Sequence, residues 1–210
     1  TSNYFLTFTL NFYKMKKIYL LITLVSTLSF AQNTNLVPVT YVDQAGQTKQ
    51  GYTTQQNLYK GLKSFSFRET KEGKDIILMP KDVASIRFSN GDKYVTSTVN
   101  ISRHNDAKLT EENKASYTEE TLFLRTIIEG NVNLYEYVDN DGSIYFAKPS
   151  NENQLQQLQY RRYYQDGNVV TDNTFKNQLA KLFSGTSTSD IRNVRYNDKS
   201  LTKFFGINNG

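Results

Sequence analysis

The 210-residue sequence contains no cysteine and no tryptophan, and only one histidine. Without cysteine the chain has no disulfide, no thiolate zinc site, no cysteine nucleophile and no lipid attachment through an N-terminal cysteine. His104 lies in a polar stretch with no serine or cysteine motif around it, which is typical of a surface loop. Phosphate-binding glycine loops, nucleophile elbows, zinc-protease motifs and dinucleotide fingerprints are also absent from the sequence. The sequence therefore predicts a protein that is not an enzyme, with no catalytic residue, no metal site and no cofactor.

Residues 15–31, "MKKIYLLITLVSTLSFA", have the three parts of a secretory signal peptide. Two lysines follow the methionine, an apolar segment of eleven residues spans 18–28, and Ser29 and Ala31 form a small-residue cleavage motif. The apolar segment is too short to span a hydrocarbon core, which requires about 20 residues as a helix. A single anchoring helix is the alternative interpretation. The absence of cysteine fits an exported protein that does not depend on disulfides, so we predict a location in the periplasm or outer membrane.

The fourteen residues before this signal, "TSNYFLTFTLNFYK", do not suit a signal n-region, because they carry no acid and only one base. We interpret residues 1–14 as upstream or non-native sequence ahead of a true start at Met15. The alternation of Phe8, Leu10 and Phe12 leaves a genuine strand as the alternative.

The net charge falls once the signal is removed. The full chain carries 25 basic and 20 acidic residues, a net charge of +5. Three lysines and no acid lie within residues 1–31, so 22 basic and 20 acidic residues remain afterwards. No run of like charges is longer than two residues. A mature chain this close to neutrality lacks the basic excess of nucleic-acid-binding proteins and the clusters of membrane-binding patches, so we predict no nucleic-acid partner.

Residues 32–168 alternate between short β runs and turn signals, which predicts an antiparallel meander. A single helical turn is expected at 80–82, where Pro80 begins it. Hairpin turns are expected at the Asn90-Gly91 pair and at Asp141-Gly142. This pattern predicts one β-rich domain over residues 32–168.

Two segments of this region are ambiguous. The sequence "LFLRTIIEG" at 122–130 fits a helical period as well as a strand, and we favour a strand because of its β-branched residues and terminal glycine. Residues 104–118 are polar without a clear period. They are predicted to form a mobile loop with a short helix near Glu111.

Residues 169–210 change to a helical pattern. Asp172 is a suitable N-cap, and Asn197 or Asp198 is a suitable cap for a second helix, with "TSTSD" at 186–190 as a linker between them. The predicted fold class is therefore α+β, mainly β. It consists of an antiparallel meander of about eight strands, twisted or rolled, with two or three short C-terminal helices covering one face or end.

The order of segments over residues 15–210 resembles a family of uncharacterised secreted Gram-negative proteins. The residues that carry the resemblance are a signal ending in "SFAQ", then "YVDQAGQTKQGYTT", "FLRTIIEGNVNLYEYVDNDGSIYFA", "FKNQLAKLF" and "YNDKSLTKFFGINN". In that family the β-rich region precedes an outer-membrane β-barrel. The resemblance implies that the chain is a fragment, and that a barrel in the same full-length chain would begin near Gly210. It implies no activity and no role for any residue.

Two carboxylate pairs are candidates for hydrolytic chemistry. Glycoside hydrolysis requires two carboxyl groups about 5–10 Å apart across a cleft. Glu119 and Glu120 are adjacent and would point to opposite faces of a strand. Glu129 and Glu136 flank a hairpin and would approach one another, as residues of any solvated strand edge do. A hydrolase is therefore the third and most distant functional hypothesis.

Tyrosine-rich segments are the only unusual feature of the composition, with 15 tyrosines in a chain that lacks tryptophan. Amphipathic aromatic side chains beside arginines are enriched at interfaces. The candidate binding residues for a glycan or peptide are Tyr135, Tyr137, Tyr145, Arg161, Arg162 and Tyr163. The favoured interpretation of these tyrosines is core packing, since Tyr135 alternates with Tyr137 on one strand face. The leading functional hypothesis is an exported, non-enzymatic accessory region of an outer-membrane or periplasmic protein. The alternative is a free-standing periplasmic protein that binds a glycan or peptide through its tyrosine-rich hairpins.

We expect cleavage between Ala31 and Gln32 when the chain is expressed from Met15 in a Gram-negative host. The mature protein should be recovered from the periplasm with Gln32 as its first residue, because small residues precede that bond. Intact mass spectrometry of the periplasmic fraction measures this. Recovery of the uncleaved chain in the membrane fraction would support the anchoring-helix interpretation instead.

Overall fold

The computed structural model describes residues 35–54, 61–104, 108–111 and 114–209. The interpretations of residues 1–14 as upstream sequence and of 15–31 as a signal peptide lie outside the described residues.

Antiparallel β-strands are the main secondary structure of the described residues. In chain order the strands are β1 (Leu36–Asp43), β2 (Thr48–Thr54), β3 (Phe65–Phe67), β4 (Ile76–Leu78), β5 (Val83–Phe88), β6 (Lys93–Ile101), β7 (Thr118–Ile128), β8 (Val132–Asp139), β9 (Gly142–Pro149), β10 (Gln156–Gln157), β11 (Arg161–Gln165) and β12 (Asn168–Asp172). Eight of these strands form one sheet in the order β10-β9-β8-β7-β6-β5-β1-β2. The other four form two hairpins, β3 with β4 and β11 with β12. The predicted mainly β fold, with about eight strands in an antiparallel sheet, is confirmed.

Three short helices follow the last strand, which confirms the predicted number and position. They are α1 (Thr174–Leu182), α2 (Thr188–Arg192) and α3 (Asp198–Asn208). The helical segment begins at Thr174 rather than at residue 169, because strand β12 continues to Asp172.

The predicted helix caps are confirmed for α3 and corrected for the other two helices. The N-cap of α1 is Asn173, not Asp172 as predicted, because β12 continues to Asp172. The Asp172 carboxylate nevertheless accepts a hydrogen bond from the Thr174 amide at 2.8 Å.

Asn197 caps α3 as predicted, and its side chain accepts a hydrogen bond from the Ser200 amide at 2.9 Å. The "TSTSD" segment is not a plain linker. Helix α2 begins within it, because the Ser187 hydroxyl accepts a hydrogen bond from the Asp190 amide at 3.2 Å and so acts as an N-cap.

The predicted turns are present in the structure. A 3-10 turn spans Pro80–Asp82, and Gly91 and Gly142 have positive φ angles of 97° and 128° in their hairpins. The ambiguous segment at 122–130 is strand β7, not a helix. The helix expected near Glu111 is absent from the described parts of that loop.

The β8–β9 hairpin is buried on both faces. Four consecutive residues of β8, Leu134–Tyr137, and four of β9, Ile144–Ala147, are each less than 9% exposed. Successive side chains of a strand point to opposite faces. The hairpin must therefore be covered on both sides, unlike a solvated hairpin with one polar face.

Three apolar clusters supply that cover. The helices pack their apolar side chains, including Phe175, Leu179 and Phe205, against one face of β8 and β9. The β3 strand packs Phe65 and Phe67 against the same face further along the sheet, over β1 and β5. The opposite face of β6 to β9 forms a third cluster, with Leu155 packed against it from the segment before β10. The sheet is therefore the middle layer between these covers.

Side-chain amides complete the hydrogen bonding where strands end. Gln157 of β10 accepts from the Ser102 amide at 2.8 Å and donates to the Ser102 carbonyl at 2.9 Å. Gln178 of α1 binds β10 in the same manner, accepting from Gln159 N at 2.7 Å and donating to Gln157 O at 2.9 Å. The contact of Gln157 with Ser102, called here the β6–β10 seam, brings the edge strand β10 to the end of β6. The sheet is thus rolled at this end.

We expect Gln157→Ala to lower the free energy of unfolding by roughly 1–3 kcal/mol, because it leaves a buried backbone N–H and C=O of Ser102 without their partner. The matched control is Gln156→Ala, which removes an exposed amide from the same strand and should change stability by less than about 0.5 kcal/mol. Urea denaturation with a shared m-value measures both. Equal effects of the two variants would contradict a role for the seam.

Candidate functional site

The structure does not bring the six predicted binding residues to one surface. Tyr135 and Tyr137 lie on one face of β8 at 8% and 5% exposure, while Tyr145 of β9 lies on the opposite face at 2%. These tyrosines pack within the core clusters, which agrees with the interpretation that they are core residues. Arg161 is also buried and donates to Lys114 O at 2.8 Å.

The remaining two predicted residues, Arg162 and Tyr163, lie half-buried in the β11–β12 hairpin. The neighbouring Tyr164 is 41% exposed. This hairpin is a separate two-stranded sheet, so Arg162 and Tyr163 do not belong to the strands that hold the other tyrosines.

Three of the four candidate carboxylates, those of Glu120, Glu129 and Glu136, form ion pairs, whereas Glu119 is exposed. Arg125 Nη2 lies 2.6 Å from a Glu136 oxygen and 3.5 Å from an oxygen of Asp198 at the start of α3. The Glu136 side chain is only 6% exposed. Glu129 pairs instead with Lys93. Each member of this predicted pair therefore neutralises a cation rather than facing the other across a cleft.

Glu120 belongs to a cluster around Arg103. The guanidinium donates to Glu120 Oε2 at 2.9 Å and to Asp139 Oδ2 at 2.9 Å, and it lies 5.6 Å above the Tyr137 ring. The hydrogen bond from Arg103 holds the pKa of the Glu120 carboxyl below its ordinary value. Because Tyr137 is part of the third apolar cluster, this arginine fastens the strand ends beside that cluster.

An aromatic group surrounds Tyr196, between α2 and α3. Its hydroxyl accepts from the Tyr145 amide at 3.2 Å and donates to Leu158 O at 2.9 Å, so it lies within the β9–β10 ladder. The Tyr196 ring stacks on Tyr160 at 4.7 Å, and Tyr160 meets the His104 ring edge-on at 5.7 Å. A cavity of about 270 Å³ adjoins these rings. Since the Tyr196 hydroxyl bonds to strand backbone, its first role is structural.

A larger cleft of about 510 Å³ lies beside the β6–β10 seam. Its volume is in the range of small-ligand sites. The residues that line it, which define the amide cleft, are mostly neutral amides: Asn100, Tyr117, Glu152, Gln154, Leu155, Gln156, Gln157 and Gln159. These lining residues include one carboxylate, that of Glu152, and they include no lysine, arginine or histidine. The amide cleft therefore suits a neutral or cationic polar ligand.

The amide cleft presents an exposed aromatic ring beside its amides. Tyr117 is 41% exposed, and its hydroxyl accepts a hydrogen bond from the Gln159 side chain, which positions the ring. Gln157 is held by Ser102, whereas Asn100, Gln154 and Gln156 have exposed side chains. Amides both donate and accept hydrogen bonds, and an aromatic face packs on apolar ligand surface.

Sequence reasoning missed the amide cleft. The signal available was the run "QLQQLQ" at 154–159, in which four of six residues are glutamine. The sequence gives no means of knowing that this run meets Asn100 and Tyr117, because their distance along the chain exceeds thirty residues.

Two further observations concern the described residues. None of their histidine, aspartate or glutamate side chains forms a group of three or more with the geometry to hold a metal ion. None of their helices combines the length and apolar character required to cross a membrane. Comparison of the chain with protein-family models, with curated proteins and with solved structures returns no match.

We expect the stabilising effect of Glu120 to be lost in acid. A carboxyl whose folded-state pKa lies below its ordinary value of about 4.5 stabilises the fold fully above that pH, and the contribution disappears as pH falls through the lowered pKa. Glu120→Gln should therefore be less stable than the parent at pH 7, with a difference that shrinks below about pH 4.5. Urea denaturation between pH 7 and pH 2.5 measures this difference. Glu119→Gln, whose exposed side chain points to the other face, is the control, and a pH-independent difference for Glu120→Gln would contradict the expectation.

Proposed function

We propose that the chain is an exported, non-enzymatic binding domain that takes a neutral or cationic polar ligand, a glycan or a peptide, in the amide cleft. The observation that carries this proposal is the lining of the cleft, in which exposed amides surround an exposed tyrosine ring. Side chains of this kind fix the orientation of a polar ligand without performing chemistry on it.

The state of the carboxylates supports a non-enzymatic role. General acid–base catalysis requires a carboxyl group within reach of a substrate proton. Glu136 is buried against Arg125 instead, and Glu120 is held by Arg103. Glu152 lines the amide cleft without a second carboxylate among the lining residues.

The location of the domain is proposed from the sequence. The signal-like residues 15–31 support export to the periplasm or outer membrane, and the resemblance to secreted Gram-negative proteins supports an accessory region whose partner is a barrel in the same full-length chain. The coding sequence beyond Gly210 tests this part. Alternating apolar segments of about 9–11 residues are expected there, and an immediate stop codon would favour a free-standing periplasmic protein.

Tyr117→Ala should weaken ligand binding about fivefold or more, because an aromatic contact contributes on the order of 1 kcal/mol to such complexes. The probes are maltohexaose, chitohexaose and the blocked hexapeptide acetyl-(Thr-Lys)₃-amide. Saturation-transfer NMR and calorimetry measure their binding to the exported chain.

The matched control is Tyr164→Ala. Tyr164 has the same 41% exposure but lies in the β11–β12 hairpin and does not line the cleft. Its removal should leave binding unchanged. Equal losses from the two variants, or no binding of any of the three probes, would contradict the proposal.

A further inference from the structure

Strand β6 has an open backbone edge beside the amide cleft. On one side β6 pairs with β7 from Tyr94 to Ile101. On the other side its pairing with β5 covers only Lys93 to Val95. Beyond Val95 the second edge of β6 has no strand partner among the described residues.

The direction of the backbone groups along β6 is fixed at both ends. Asp92 faces β5, because its carbonyl accepts a hydrogen bond from the Phe88 amide at 2.9 Å. Ser102 bonds with both its N–H and its C=O to Gln157. These positions are ten residues apart, and the intervening register is continuous. In an antiparallel ladder every second residue has its N–H and C=O on the same side.

Thr98 and Asn100 therefore direct their N–H and C=O groups away from β7, toward the open edge. Both residues are exposed. Asn100 also lines the amide cleft, so the edge and the cleft are continuous. At the start of this edge the Thr96 hydroxyl donates to Val83 O, so the first residue of β5 still contacts β6 there. At the far end Gln157 pairs with the backbone of Ser102. Two exposed residues, Thr98 and Asn100, thus lie between the contact of Thr96 with Val83 and the pairing of Ser102 with Gln157.

We infer that the ligand of the amide cleft is an extended, basic peptide, which adds to β6 as a short antiparallel or parallel strand at Thr98 and Asn100. Strand addition derives affinity from main-chain hydrogen bonds and specificity from pockets that receive alternate side chains. The open edge of β6 would supply the main-chain hydrogen bonds, and the amide cleft would supply the pocket for side chains. This inference rests on the proposed function, because it names the class of ligand for the same cleft.

The basic character of the peptide follows from the charges near the edge. Glu119 is exposed and lies directly across the ladder from Asn100. Glu152 also lines the cleft, and none of the described residues that line it is cationic. Lysine or arginine side chains of an added strand would meet these carboxylates, whereas acidic side chains would be repelled.

The test uses four peptides. The first is acetyl-(Thr-Lys)₃-amide, and the second has glutamate in place of lysine. The other two are forms of the basic peptide that are N-methylated at every second residue, one at the threonines and one at the lysines. An added strand donates its N–H groups on one side only. The basic peptide should bind, the acidic one should bind at least tenfold more weakly, and one N-methylated form should lose binding while the other retains it. Equal binding of both N-methylated forms and the parent peptide would overturn the inference.

Amide hydrogen exchange locates the added strand. The Thr98 and Asn100 amide protons should exchange at least tenfold more slowly in the complex, since they become hydrogen-bonded. Unchanged exchange at both positions in a complex that binds elsewhere would overturn the inference.

A pair of variants separates the backbone from the side chain at Thr98. Thr98→Pro removes the outward N–H, which proline tolerates where a strand edge faces solvent, and should weaken peptide binding at least tenfold. Thr98→Ala keeps the N–H and should bind as the parent does. Thermal unfolding shows whether Thr98→Pro is folded. If Thr98→Pro is unfolded, the N-methylated peptides still test strand addition, because they leave the protein unchanged.

The outcomes distinguish this inference from the proposed function. Binding of either glycan with Tyr117 dependence, and no binding of the basic peptide, would overturn strand addition and leave the amide cleft as a ligand site. Peptide binding with protection of Thr98 and Asn100 but without Tyr117 dependence would support strand addition and overturn the role of Tyr117.

Discussion

The requirement that buried backbone groups find hydrogen-bond partners governs how this sheet ends. Where no neighbouring strand is present, side-chain amides supply these hydrogen bonds. Gln157 takes the position of a neighbouring strand beside Ser102, Gln178 does so beside β10, and Asn209 accepts from Val132 N and donates to Val132 O at 2.8 Å each. Each amide joins segments far apart in sequence, up to 77 residues for Asn209. Asn209, the residue that follows α3, thereby holds the end of that helix to Val132, the first residue of β8.

The two-sided burial of β8 and β9 explains the layers around the sheet. One face is covered by the helices and the other by the rolled edge at the β6–β10 seam. A charged pair nevertheless lies on the helix-covered face, where Glu136 meets Arg125 beside the first turn of α3. Loss of one partner from a buried ion pair leaves an uncompensated charge, which is far more costly than loss of an exposed pair. Arg125 and Glu136 thus restrict which arrangement of α3 over the sheet is stable.

The same seam that rolls the sheet creates the proposed binding region. Gln157 closes the roll at Ser102 but leaves Thr98 and Asn100 beyond its reach. The segment before β10 passes beside this edge, with Leu155 packed inward against the third cluster and Gln154 and Gln156 exposed. An open strand edge is a site for association with another chain. Here the edge is short and the carboxylates of Glu119 and Glu152 lie near it, which is why the proposed partner is a basic extended segment.

Local sequence signals determined most of the strands, turns and caps, because they act over a few residues: Gly91 and Gly142 permit positive φ, and the Asn197 side chain reaches only to Ser200. The tyrosine alternation in β8 likewise indicated packing. The sequence did not show that "TSTSD" begins a helix or that β12 reaches Asp172, since those boundaries depend on neighbouring packing. Only the tertiary structure decided the amide cleft and the open edge. Their members come from β6, from Tyr117 and from residues 152–159, and contacts between segments so distant depend on how the whole sheet rolls rather than on any local preference.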